Sequence, residues 1–164
     1  HGRRANSLQG YGMAVTFEKS GIHLEFLEPD KVRDIWADIA PLYERSISHS
    51  AHGEFTLDDL FDLAVAARVA VGVVREHGEI ILSLMVEDRI YPHAKSVNVF
   101  ALAGRNLDGF MTSIFPLFCD WCREKDIGWI ECSVSPAMAR IHSRYGFKTV
   151  YQTLRFNLDD KDKK

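Results

Sequence analysis

The sequence predicts an α/β domain built on a mixed central sheet, in the order β-α-α-β-β-β-α-β-α-β, and three observations predict it. Segments of alternating apolar residues take turns with segments whose apolar residues recur every three or four positions. Two of the alternating segments flank His77-Gly78, a hairpin signal. A further strand, Trp129 to Ser135, runs straight into Pro136, a short helical stretch and Gly146. The 164 residues are 46% hydrophobic and 26% charged, a balance that suits one globular domain able to bury a core.

Residues His1 to Gly12 mix Arg, Ser and Gly without periodicity, and read as an expression-tag remnant ahead of a single domain from Met13 to Leu158. Ile22 to Leu27 alternates as a strand. Pro29-Asp30 opens a helix in which Val32, Ile35, Trp36 and Ile39 share a face, and Pro41 is expected to bend or end it. Ser46 to Phe55 is polar and reads as a loop. Thr56 and Asp59 form an acidic variant of the capping box for a second helix carrying Leu57, Leu60, Phe61 and Ala64.

The strands Val69 to Arg75, Glu79 to Val86 and Ser96 to Ala103 come next. Gly104 to Gly109 makes a turn, and a helix runs to about Lys125. Pro116 inside it predicts a kink costing on the order of 3 kcal/mol. Beyond Gly128, Ser135 suits a cap, Pro136 the first helical position and Gly146 a left-handed end. Met138, Ile141 and Tyr145 are expected on one face of that helix. The alternation resumes after Phe147 as a last strand, and 159–164 reads as a frayed tail.

Charge and cysteine usage restrict the function classes. The net charge is −3, and no Lys/Arg stripe marks a nucleic-acid backbone site. The most apolar run, Phe110 to Cys122, is interrupted by Thr112, Ser113, Pro116 and Asp120 and is too short to span a bilayer. Cys119, Cys122 and Cys132 make an odd count without a secretory signal, so reduced thiols in the cytoplasm are expected. Cys119-x-x-Cys122 reads as packing rather than as a redox or zinc motif, because no second pair accompanies it. His49 and His52 with Glu54 are two histidines in a loop, and no metal site is assigned.

The stretch from Trp129 to Leu158 resembles the C-terminal half of a GCN5-related N-acetyltransferase. In that family a strand delivers an Asn or Ser to a helix start, the helix carries a small residue and then Leu-Tyr, and Gly-Phe follows. The matching positions are Ser135, Met138, Ile141-His142 and Gly146-Phe147. The element order matches over Ile22 to Leu158. The resemblance implies acetyl-CoA as co-substrate, with its pantetheine arm along the fourth strand and a backbone N–H near Leu102 or Ala103 for the thioester oxygen.

It also implies a pyrophosphate at the next helix start, where the family has Arg/Gln-x-x-Gly-x-Gly/Ala. This chain has Arg105, Asn106, Leu107, Asp108, Gly109 and Phe110, so the Arg matches while Asp108 and Phe110 replace the glycines. The implied cofactor-binding residues are Leu102, Ala103, Gly104, Arg105, Gly109 and Ser135. The family's proton-donating Tyr falls on His142, with Tyr145 nearby, and these are the implied catalytic residues.

Read without the resemblance, the same loop is an ordinary helix start capped by Asn106 or Asp108, His142 is a half-exposed helix residue and Tyr145 is core. Ser96 to Ala103 contains no carboxylate, so Glu87, Asp88 or His93 either act through water as a base or are solvated turn residues. Glu54, Asp58, Asp59 and Asp62 either attract a cationic amine or face water. Two functions follow: acetyl transfer from acetyl-CoA to a primary amine of a small molecule or protein, and a catalytically silent domain acting through protein contacts. A nucleobase-modifying transferase is third.

Overall fold

The computed structural model describes residues 15–50 and 54–159, less the side chains of 48–50. The expected tag, His52 and the tail beyond 159 lie outside the described residues, as does the side chain of His49. The chain divides into two compact units, one ending at Ser133 and the other starting at Val134.

The first unit is a six-stranded sheet whose strands lie side by side in sequence order. They are β1 (Thr16–Lys19), β2 (Ile22–Leu27), β3 (Ala70–Glu76), β4 (Glu79–Tyr91), β5 (Ala94–Gly104) and β6 (Trp129–Cys132). All neighbours are antiparallel except β5 and β6, which are parallel. The crossover that parallel pairing requires is made by α3 (Leu107–Ser113) and α4 (Phe115–Glu124). The first two helices, α1 (Pro29–Ser50) and α2 (Leu57–Val65), join β2 to β3. β1 was not expected from the sequence.

Local chemistry sets most boundaries. His77 and Gly78 take φ of 52° and 83°, the two left-handed positions a two-residue hairpin needs. The Thr56 side chain accepts from Asp59 N at 3.2 Å while Thr56 N donates to Asp59 Oδ2 at 2.8 Å, so the expected capping box is formed.

Two expectations are corrected. α1 does not end at Pro41 and gives way to no loop at Ser46; it runs on to Ser50. Val32 and Ile39 before the proline and Tyr43 after it are all fully buried, which anchors the helix in the core on both sides of Pro41. Pro116 does not sit inside one long helix: the chain breaks at Ile114 and Pro116 falls in the first turn of α4, where its missing N–H costs little.

The sheet is covered on both faces. On one, Val32, Ile39 and Tyr43 of α1 and Leu60 and Ala64 of α2 form a core with Leu27, Val71, Val73, Met85 and Ala103. On the other, Phe118 of α4 meets Phe17 and Phe26 at ring-centroid distances of 5.9 and 5.8 Å. One polar group lies inside the first core: the Tyr43 hydroxyl is 2.7 Å from Ser83 Oγ, which donates to the Gly72 carbonyl at 2.8 Å. No helix among the described residues is long and apolar enough to cross a membrane.

The second unit contains α5 (Pro136–Ser143). Ser135 caps it, accepting from Met138 N at 3.3 Å, and Pro136 stands in its first turn. Gly146 takes φ of +96°, the expected left-handed end. The expected last strand is not formed: residues 148–159 carry no strand and enter no ladder.

Candidate functional site

The β5–β6 ladder holds for four pairs, Ser96↔Trp129 to Val99↔Cys132, and then stops. β5 continues through Phe100 to Gly104 paired to β4 alone. All four residues of β6 are then used. At the same point the β4–β5 register shifts: Val86 faces Val99 but Met85 faces Ala101, leaving Phe100 as an extra residue. Such a bulge bends the strand. The backbone of Phe100 to Gly104 that points away from β4 has no ladder partner among the described strands, and Leu102, Ala103 and Gly104 stand on this edge.

The loop after β5 differs from the expectation drawn for its glycines. Gly104 has φ of +136°, and a Cβ there would run into the Ile81 carbonyl and Leu82 Cα. Its freedom serves close approach of β5 to β4, which Arg105 N completes by donating to the Ile81 carbonyl at 2.8 Å. Asn106 adopts φ of 57° and caps α3, its Oδ1 accepting from Gly109 N at 3.2 Å. The Asn106 side chain also fills the space beside Gly109 and donates to Glu76 Oε1 at 3.1 Å. Arg105 donates to Glu79 Oε2 at 2.8 Å.

The fit to a CoA thioester therefore differs along its length. A pantetheine arm is a chain of amides, and the open β5 edge offers it strand-like hydrogen bonding. At the pyrophosphate end one N–H of the helix start is already committed. Arg105 is available only by exchange, but its pair with Glu79 is 59% and 68% exposed, so parting it costs about 1 kcal/mol or less.

Of the polar row beside this edge, sequence reasoning named Glu87 alone, as a base through water or a turn residue, and missed that it stands within β4 in line with Asn98 and Glu131. Glu87, Asn98 and Glu131 face one another across β4, β5 and β6. Asn98 Nδ2 donates to Glu87 Oε1 at 2.9 Å, and Glu131 Oε2 accepts from Ser96 Oγ at 2.7 Å and the Tyr91 hydroxyl at 2.9 Å. Burial alone raises the Glu131 carboxyl, but the bonds from Ser96, Tyr91 and Trp129, with Arg89 nearby, outweigh it and hold the group below the usual carboxylate range. The signal was a lone Glu at an inner position of Trp129 to Cys132. Phe100, the bulge residue, meets Phe55 edge-on at 4.9 Å, and nothing in the local pattern announced it.

The remaining predicted residues, Ser135, His142 and Tyr145, belong to the second unit. Ser135 is engaged as the α5 cap. His142 is 9% exposed rather than half-exposed, lies edge-on to Phe147 at 5.4 Å, and has a buried Nδ1 without a hydrogen-bond partner among the described residues. Burial pushes its imidazole below the ordinary value, with the Met138 carbonyl opposing. Tyr145 lies beyond the end of α5 and is half-buried. The cysteines are not activated nucleophiles: burial pushes Cys122 up to about 12 and raises Cys119 and Cys132.

A six-stranded sheet with two helices after β2, and a parallel β5–β6 pair that ends where β5 is bulged, is the fold of the GCN5-related N-acetyltransferases, here in a divergent form. No protein-family model matches the sequence, and no curated protein matches it. Among solved structures, a protein described as a possible acetyltransferase from Clostridium difficile superposes with a TM-score of 0.62 at 13% identity, over 84% of this chain and 98% of that one. The aminoglycoside acetyltransferase meta-AAC0020 from an uncultured soil metagenomic sample, solved with sisomicin, gives 0.61 at 11% identity over 85% and 96%. A protein from Clostridium acetobutylicum described as a predicted acetyltransferase, solved with acetyl-CoA, gives 0.59 at 13% identity over 84% and 96%.

Proposed function

We propose that this chain is an N-acetyltransferase that moves an acetyl group from acetyl-CoA to a primary amine of a small molecule or protein. The observation that carries the reading is the β5 edge from Phe100 to Gly104, which has no ladder partner beyond the last β5–β6 pair. Similar folds solved with acetyl-CoA and with an aminoglycoside support it.

Acetyl-CoA supplies a thioester whose carbonyl carbon accepts the amine. The β5 backbone at Leu102 or Ala103 donates to the oxygen as it becomes anionic. Gly104 and Arg105 follow along the same chain, Arg105 meeting the phosphates after leaving Glu79, with Gly109 beside it. The ionised Glu131, with Glu87 two strands away across Asn98, draws a cationic amine towards the end of the ladder, where a proton must be lost before nitrogen attacks. When the C–S bond breaks, the sulfur takes up a proton. His142 is the proposed source and Tyr145 the alternative, and Ser135 is proposed as a cofactor-binding residue. Three free thiols suit the reducing cytoplasm.

A second reading, a catalytically silent domain acting through protein contacts, is favoured by one observation. Asn106 and Glu79 already occupy Gly109 N and Arg105. A thermal titration separates the two. Acetyl-CoA at about a hundredfold excess over its dissociation constant stabilises a binding protein by about 2.7 kcal/mol. A clear rise in Tm, followed by CoA release with a primary-amine panel, is the expected result; an unmoved Tm at millimolar acetyl-CoA selects the silent domain.

A further inference from the structure

At the end of β5 away from Phe100, two large aromatic side chains lie over the sheet. Tyr91 is on β4 and Trp129 on β6, two strands apart, which puts their backbones about 10 Å from each other. The ring centroids are nevertheless 5.5 Å apart, with planes tilted by 32°. The β5 residues opposite them, Ala94 and Ser96, are small enough to let the rings lean together across the strand. Ser96 is fully buried, while Tyr91 and Trp129 remain 38% and 45% exposed, so the sheet carries an aromatic surface open to water.

The polar atoms of this surface converge on one carboxylate. Glu131 accepts from Ser96 Oγ at 2.7 Å, from the Tyr91 hydroxyl at 2.9 Å and from the Trp129 side chain. These donors are neutral, so they hold the carboxylate ionised without cancelling its charge. They also act on the rings: a phenol or indole that donates to an anion gains electron density, and its face becomes more negative, which is the property that attracts a cation. Charge at this end of β4, β5 and β6 is unbalanced, because Glu87 and Glu131 stand against Arg89. Arg89 itself is 3.6 Å from Glu87 in a half-exposed pair that parts at little cost.

We propose that Tyr91, Trp129 and Glu131 form a binding site for an alkylammonium group, the cation lying on the ring faces with the carboxylate beside it. An apolar occupant would desolvate Glu131 without a partner, and an anion would meet two carboxylates. An organic cation satisfies the rings and the carboxylate together. Arg89 is its competitor for the same charge. The site deepens the part given to Glu131 above and rests on the acetyltransferase reading only for its use. Ser96 lies four residues before Phe100 on β5, about 13 Å, so an acceptor seated here by one nitrogen reacts through a second one.

The test is a titration of the full chain with choline chloride as probe, read by NMR at the Trp129 indole N–H, the signal that Trp129→Phe removes. Dimethylbutanol, the neutral isostere with a tert-butyl group in place of trimethylammonium, and NaCl are titrated in parallel. Choline should give a saturable shift that NaCl does not, and dimethylbutanol should bind about fivefold more weakly or worse. Glu131→Gln keeps the shape of the side chain without its charge and should weaken choline by a similar factor. Arg89→Gln removes the competitor and should strengthen it. A shift no greater than NaCl gives, or equal binding of choline and dimethylbutanol, overturns the proposal. Unchanged affinity in Glu131→Gln or weaker binding in Arg89→Gln, with the far-UV spectrum unaltered, also overturns it. Should either variant lose its fold, the comparison of choline with its isostere on the wild type decides alone. No acetyl-CoA is present, so failure here leaves the acetyltransferase reading standing, and an unmoved Tm with acetyl-CoA leaves the cation site standing.

Discussion

His142 is buried with one ring nitrogen unpartnered among the described residues, and that combination ties its stability effect to pH. The folded protein holds the imidazole below the unfolded value of about 6.5, so the folded state binds fewer protons. The stabilisation from keeping it neutral is complete above that value and is lost as pH falls towards the lowered one. His142→Leu should flatten the stability curve on this acidic side and leave stability at pH 8 unchanged or higher, as urea melts across pH will show. If His142 also protonates the departing sulfur, the same variant loses about 10²- to 10⁴-fold in turnover with acetyl-CoA affinity unchanged. Equal turnover removes it from the mechanism.

Arg105 and Glu79 make the complementary residue-scale case. Their exposed ion pair contributes little to folding, so Glu79→Gln should leave Tm within about 1 °C while releasing the guanidinium. Acetyl-CoA should then bind more tightly, and Arg105→Ala should bind it less tightly, both by calorimetric titration. Opposite signs from the two variants are the signature of a competition between Glu79 and phosphate.

At the scale of elements, what was legible in the sequence was local. Thr56 with Asp59, His77-Gly78, Ser135-Pro136 and Gly146 each fix a boundary through their own backbone, and each stands where it was expected. Thr56→Ala should cost about 1 kcal/mol in urea unfolding. Pro116 was misread because a proline's effect depends on what surrounds it. Pro116→Ala should shift stability by no more than about 1 kcal/mol, against the roughly 3 kcal/mol of an interior proline.

The missing strand after Phe147 and the Phe100 bulge were illegible for a related reason: both are relations between strands. Arg105 was legible as a residue, but its commitment to Glu79 depends on how β4 and β5 end side by side. The same holds for Glu131, whose partners Tyr91 and Ser96 come from two other strands.

At the scale of the first unit, the Tyr43, Ser83 and Gly72 contacts form a chain with a direction. Ser83 has one hydroxyl proton and gives it to the Gly72 carbonyl, so Tyr43 must be the donor to Ser83. Burial keeps that phenol protonated by raising it well above its ordinary value, despite the opposing bond to Ser83. The two ends are therefore not equivalent. Tyr43→Phe leaves Ser83 bonded to Gly72 and should cost about 1 kcal/mol, while Ser83→Ala strands a fully buried hydroxyl and should cost about 1–3 kcal/mol. The double variant should cost less than the sum of the two, a coupling that a cycle of urea melts measures.

An apolar core accepts many arrangements of similar energy, whereas a proton given by α1 to β4 and passed to β3 is satisfied in one. Sliding α1 by a residue, or β4 against β3, orphans a buried donor. The consequence is conformational singularity rather than strength. With both hydroxyls removed the protein should keep its helix and strand content while its near-UV spectrum weakens, as a core loses the contact that told it which of several packings was its own.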